Sequence, residues 1–124
     1  PIYANAVVVD NIVYVSGMTA QKFEDGSCTT NTMQDQMWVA LSKMKQVLEE
    51  AGSCLENVFK TFIMLKDIKD YPVMRATELK FYQEYAPELA EHPAASTILQ
   101  AGCLARPEFL VEIECMAVLN KKKD

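Results

Sequence analysis

Glu112 and Glu114 lie two residues apart in Phe109–Leu119, FLVEIECMAVL. In a β-strand that spacing puts both carboxylates on one face with Leu110, Met116 and Val118. The opposite face, Phe109, Val111, Ile113, Cys115 and Ala117, is wholly apolar. An ionised carboxylate among large hydrophobes is costly unless paired or hydrogen-bonded, so the pair marks a ligand site, an interface or a solvated edge. Few other residues compete for chemistry. There is no glycine-rich phosphate loop, and Val15-Ser16-Gly17 lacks the glycine two positions before the serine that a nucleophile elbow needs. One histidine, His92, and four scattered cysteines give no nucleophile with an obvious base. There remain Ser16 at a strand end, Tyr3, and the only two arginines, Arg75 and Arg106. Ser16 can meet a ligand or close its strand on the backbone, and Tyr3 can meet a ligand or pack at a subunit boundary. Arg75 can enter a cleft or pair with Glu78, three residues on and on the same helix face. Arg106, in a proline-flanked loop, and His92, before Pro93, read as surface residues.

Composition narrows the partners. The 124 residues suffice for a single domain over 1–124, half of them hydrophobic and under a quarter charged. No apolar run approaches the ~18–20 residues of a membrane span, and no basic-then-apolar N-terminal segment reads as a signal peptide. Cys28, Cys54, Cys103 and Cys115 form no CxxC and no clustered zinc-ligand set. They read as free thiols of a cytoplasmic, mitochondrial or other reducing compartment, with Cys103 and Cys115 in core or connecting positions. With a net charge of −5 and its one basic cluster in a solvated tail, Lys121–Lys123, the chain lacks the basic face of a nucleic-acid binder and the basic helix of a membrane binder. A small polar ligand is the expected partner, with no metal and no cofactor.

The elements that must position these residues follow from periodicity. Ala6–Asp10 and Ile12–Ser16 read as a hairpin turning at Asp10-Asn11, and Gly17 to Asn31 as a loop. Met33, Met37, Ala40, Leu41, Met44, Val47, Leu48 and Ala51 recur at helical spacing as a core stripe, capped by Asn31 or Thr32 and ended by Gly52. Val58–Leu65 reads as a central strand with faces Val58, Lys60, Phe62, Met64 and Phe59, Thr61, Ile63, Leu65. Asp70 is expected to cap a second helix with Pro72 in its first turn and Met74, Thr77, Phe81, Tyr82 and Tyr85 inward. Pro87 and Pro93 bracket a loop, Ala95–Gln100 is a strand, Ala101–Pro107 a connection, and the glutamate-bearing strand closes the domain. Two helices cover one face of such a mixed sheet. The other face, with Leu110, Met116, Val118, Phe62 and Met64, is left to associate with other copies.

The chain also resembles the RidA/YjgF family of reactive intermediate deaminases, the L-PSP endoribonuclease-like proteins. The resemblance runs from Tyr3 to Val118 through Ile2–Val7, Val13–Gly17, Gln36–Gly52, Glu56–Thr61, Leu65–Tyr71, His92–Ser96 and Val111–Val118. It implies a chorismate-mutase-like α+β fold, with two helices on one face of a mixed β-sheet, assembled as a homotrimer. Small imino- or keto-acid-like ligands would bind in clefts between subunits, and intermediates such as 2-iminobutanoate would be hydrolysed to the keto acid and ammonia. Matched residue by residue, it makes Glu112 the catalytic carboxylate and Ser16 and Tyr3 pocket residues. The family's Pro-Ala-Arg-Ser motif stands here as Pro93-Ala94-Ala95-Ser96, so Ala95 replaces an arginine whose fork would clamp a carboxylate. Losing that contact would cost about 2–5 kcal/mol, unless Arg75 compensates from the second helix. Met18 replaces the family's usual glutamine after Ser-Gly. A non-catalytic ligand-sensing or partner-binding trimer is the alternative that these changes raise, and a ribonuclease reading is disfavoured by the acidic charge.

Overall fold

A computed structural model describes residues 2–121. Of the expected basic tail, Lys122 and Lys123 lie outside the described residues. Five strands, β1 (Ala6–Val9), β2 (Ile12–Met18), β3 (Val58–Leu65), β4 (Ala95–Gln100) and β5 (Val111–Val118), form one sheet in the order β1-β2-β5-β3-β4. All neighbours are antiparallel except β3 and β4. That parallel pair needs a crossover, supplied by α2 (Tyr71–Tyr85) and a short α3 (Pro87–Glu91). The Pro87–Pro93 segment is thus helical over five residues rather than a loop, because Pro87 starts a helical turn as readily as it breaks one.

Helix α1 (Met33–Glu50) begins where Thr32 accepts a hydrogen bond from Asp35 N and ends before Gly52, whose φ of +90° suits a residue without Cβ. Its stripe of Met37, Leu41, Met44 and Leu48 is fully buried against Val13, Ile63, Val111 and Ile113 of the sheet and Met74 and Phe81 of α2. The hairpin turns at Asp10, with φ of +54°. Among the described residues no helix is long and apolar enough to cross a membrane.

Three local expectations change. Asp70 occupies the cap position of α2 but makes no capping bond; Asp67 instead caps the preceding 3-10 turn by accepting from Lys69 N. Tyr85 is 43% exposed, its ring edge-on to Trp38 and tilted against Phe81, while Glu78 is buried in the inward row. In β3 an extra residue at Phe59 shifts the register between Val58 and Lys60. Val58 therefore joins Thr61, Ile63 and Leu65 on the buried face and Phe59 is turned out.

A second bulge lies in β2. Val15 pairs with Cys115 but Met18 pairs with Ile113, so three steps on β2 span two on β5. Met18 thereby reaches the core, and Ser16 and Gly17 swell toward the side chain of Glu112. On the helix-free face, β5 presents Glu112, Glu114, Met116 and Val118 beside Tyr14, Phe62 and Met64.

Candidate functional site

The β2 bulge makes one wall of a cleft of about 450 Å³. Glu112 enters it from β5, directly beside Gly17, where a Cβ would overlap Oε2 and the rest of the carboxyl group. The missing side chain at Gly17 is what gives Glu112 its place. Glu112 is half-buried and has no hydrogen-bond partner among the described residues. Burial raises its pKa above the usual carboxylate value, the neighbouring Glu114 charge raises it further, and Lys43 works in the opposite direction.

Ser16 anchors the rim. Its Oγ donates to the Ala4 carbonyl at 2.6 Å and its N–H to the Asn5 carbonyl at 2.9 Å. This fixes the segment that carries Tyr3, itself 70% exposed at the mouth of the same cleft. The strand-closing alternative for Ser16 is therefore realised, and its hydroxyl still lines the cleft and keeps acceptor capacity.

The opposite wall comes from α1 and the loop after β2. Lys43 reaches across to donate to the Thr19 carbonyl at 2.9 Å and lies over the Phe23 ring, 4.7 Å from its centroid. Partial burial lowers its pKa, while nearby Cys28, Glu112 and Glu24 act the other way. Gln36, fully buried on the same helix, donates to the carbonyls of Thr30 and Glu108 and accepts from Leu110 N. It thereby ties the strand that brings Glu112 to the helix that brings Lys43. Arg106 lies at the surface as expected, its side chain 39% exposed, where it donates to the Gly26 carbonyl and to Glu108 and covers the Phe109 ring.

Arg75 and Ser96 are elsewhere. Arg75 donates to Glu78 at 2.6 Å, to the Tyr71 hydroxyl at 3.2 Å and to Ser96 Oγ at 3.0 Å, and Tyr82 donates to the far oxygen of Glu78 at 3.3 Å. The expected Arg75–Glu78 pair is present within α2, and the Arg75–Ser96 bond joins α2 to β4. These residues line grooves that share no residue with the Glu112 cleft. Ala95 pairs with Lys60 on the helix-free side of β4, and Lys60 donates to Thr97 Oγ1 at 2.6 Å. Within one protomer, Tyr3, Ser16 and Glu112 thus come together, while Arg75 and Ser96 meet on the helix side of β4 and Ala95 lies on its other face.

Lys43, Gly17, Thr19 and Phe23 were not singled out as site residues from the sequence. The one available signal was the row Gln36, Ala40, Lys43, Val47 at three- and four-residue steps, which puts a lysine on the border of the core stripe. Cys115 is buried in β5, its thiol pushed up to about 12 by that burial and then by Glu114, so it stays protonated and unreactive. No group of three or more side chains among the described residues could hold a metal ion.

The endoribonuclease L-PSP family model matches residues 2–119. The chain is 35% identical over 115 residues to the 3-aminoacrylate deaminase RutC of Acinetobacter baylyi, covering 93% of this chain and 85% of that protein. It is 28% identical over 117 residues to the chloroplastic Reactive Intermediate Deaminase A of Arabidopsis thaliana, covering 94% of this chain and 58% of that longer protein. The crystal structure of the YjgF gene product from E. coli superposes with a TM-score of 0.81 at 25% identity, over 95% of this chain and 88% of that one. The α+β architecture expected from the resemblance is the one observed.

Proposed function

The chain belongs to the endoribonuclease L-PSP (RidA/YjgF) family, and on that premise we propose that it hydrolyses a small imine or enamine at the Glu112 cleft, releasing a carbonyl compound and ammonia. The observation that carries this reading is a half-buried, unpartnered carboxylate in a cleft made by a glycine bulge. Burial and the neighbouring Glu114 charge raise its pKa, which favours its carrying a proton to transfer. Protonated Glu112 gives its proton to the imine nitrogen, and water adds to the carbon. The resulting carboxylate takes a proton from that water and passes it to the nitrogen; as ammonia leaves, the remaining hydroxyl proton goes to Glu112, which ends protonated as it began. Water is consumed and the C=N bond is exchanged for C=O. Tyr3 and Ser16 line the approach.

The cleft is proposed to lie at a seam of a homotrimer, closed by a neighbouring copy whose helix-free sheet face packs against the first. Tyr3 at the mouth and Tyr14 on the helix-free face, both exposed in the isolated protomer, support this, with half-buried Phe62, Met64 and Met116 beside Tyr14. The reading is tested by following ammonia release from 2-iminobutanoate generated in situ by a dehydratase. Acceleration that falls about 10²-fold or more in Glu112→Gln supports it. No acceleration by the wild-type protein would leave a non-catalytic ligand-binding trimer, the reading that Ala95 favours.

A further inference from the structure

Lys43 is a cation that lines the Glu112 cleft. Among the described residues it forms no salt bridge. One of its three N–H donors is taken by the Thr19 carbonyl and the Phe23 ring lies under the ammonium. The acids nearest in effect, Glu112 and Glu24, make no bond to it. A half-buried ammonium with donor capacity in hand, set in a cleft, is a ready anion contact. The strand where the family resemblance expects a guanidinium carries Ala95 instead, on the helix-free side of β4.

We infer that Lys43 is the residue that holds the ligand's carboxylate, so that the cleft selects compact molecules bearing a carboxylate at one end and leaves Glu112 free for the nitrogen or carbonyl end. The ammonium offers a point charge in place of a two-toothed clamp, which asks less of the carboxylate's orientation. Its hydrogen bond to the Thr19 carbonyl ties α1 to the loop after β2 and fixes the ammonium on the wall that the two make. The inference rests on the Glu112 cleft being the ligand site, as proposed above.

The test is a binding titration of the full chain with pyruvate and with uncharged pyruvamide, in wild type, Lys43→Gln, Lys43→Arg and Glu112→Gln. Glutamine removes the charge and retains an N–H donor on a side chain one atom shorter, and thermal melts check that each variant is folded. Lys43→Gln is expected to weaken pyruvate binding about 10- to 100-fold and leave pyruvamide unchanged, with Lys43→Arg recovering most of the loss. Equal weakening of both probes in Lys43→Gln would make the lysine a structural residue and overturn the inference. Pyruvate binding altered by Glu112→Gln but untouched by Lys43→Gln would overturn it while sparing the cleft. No binding of either probe by wild type would overturn both.

Discussion

At the scale of single residues, the site depends on an absence as much as on a side chain. Gly17 has no positive φ that would demand glycine, so its requirement is spatial: the carboxyl group of Glu112 fills the volume its Cβ would take. The overlapping atoms are the far end of a flexible side chain, which can rotate away at modest cost. Gly17→Ala is therefore expected to fold, with a melting temperature within about 5 °C of wild type. Deaminase activity should fall as far as in Glu112→Gln, because the carboxylate has left the cleft. A Gly17→Ala protein with wild-type activity would show that this placement of Glu112 is not the working one. Strand alternation made Glu112 and Glu114 legible as carboxylates among hydrophobes, and the family resemblance, not the pattern, singled out Glu112. Lys43 was not legible, because a lysine on the border of a helical stripe can as easily extend its head into water. Only the fold of residues 19–23 back over α1 turns it into the cleft, and no local periodicity encodes that.

At the scale of elements, helices were more readable than strand faces. The α1 stripe matched its burial because helical spacing repeats without interruption. Strand faces invert wherever a bulge adds a residue, and both bulges here do this: Phe59 is thrown outward and Met18 drawn inward. The second of these also builds the cleft. The elements are then held in register by Gln36, whose amide joins the Thr30 and Glu108 carbonyls and the Leu110 N–H in the interior. Gln36→Ala would strand buried backbone groups at about 1–3 kcal/mol for each that water cannot reach. We expect a loss of about 2–4 kcal/mol in a denaturant titration, together with faster hydrogen exchange at Leu110 than at Val13 on the far side of β5. Uniform exchange changes, or a loss below about 1 kcal/mol, would show that the segment before β5 is held by its own packing.

For the whole molecule, the deciding feature is a sheet with helices on one side only. Val7 pairs with Tyr14, Tyr14 with Met116, and Phe62 with Glu114, so the bare face is largely apolar with carboxylates and Lys60 set into it. Such a face normally marks an interface; patterning revealed the bare face from sequence, and how many copies are proposed to meet there lay beyond it. The proposed trimer predicts a solution mass three times the 14.0 kDa protomer. Phe62 offers a way to break it without touching the cleft or the core, because it is only half-buried and lies on the bare side. Phe62→Glu would oppose a new carboxylate to Glu114 in its own protomer, and would bring further acidic groups into the seam from the neighbouring copies. Removing a buried like-charge cluster to water favours dissociation, since each desolvated, unpaired carboxylate costs several kcal/mol. Sedimentation should then give a single protomer with native helical circular dichroism, and binding at the Glu112 cleft should weaken because a neighbour no longer closes it. A Phe62→Glu protein that still sediments at three protomer masses would place the contact on another surface. One that dissociates yet binds pyruvate with wild-type affinity would show the cleft to be complete within a single chain.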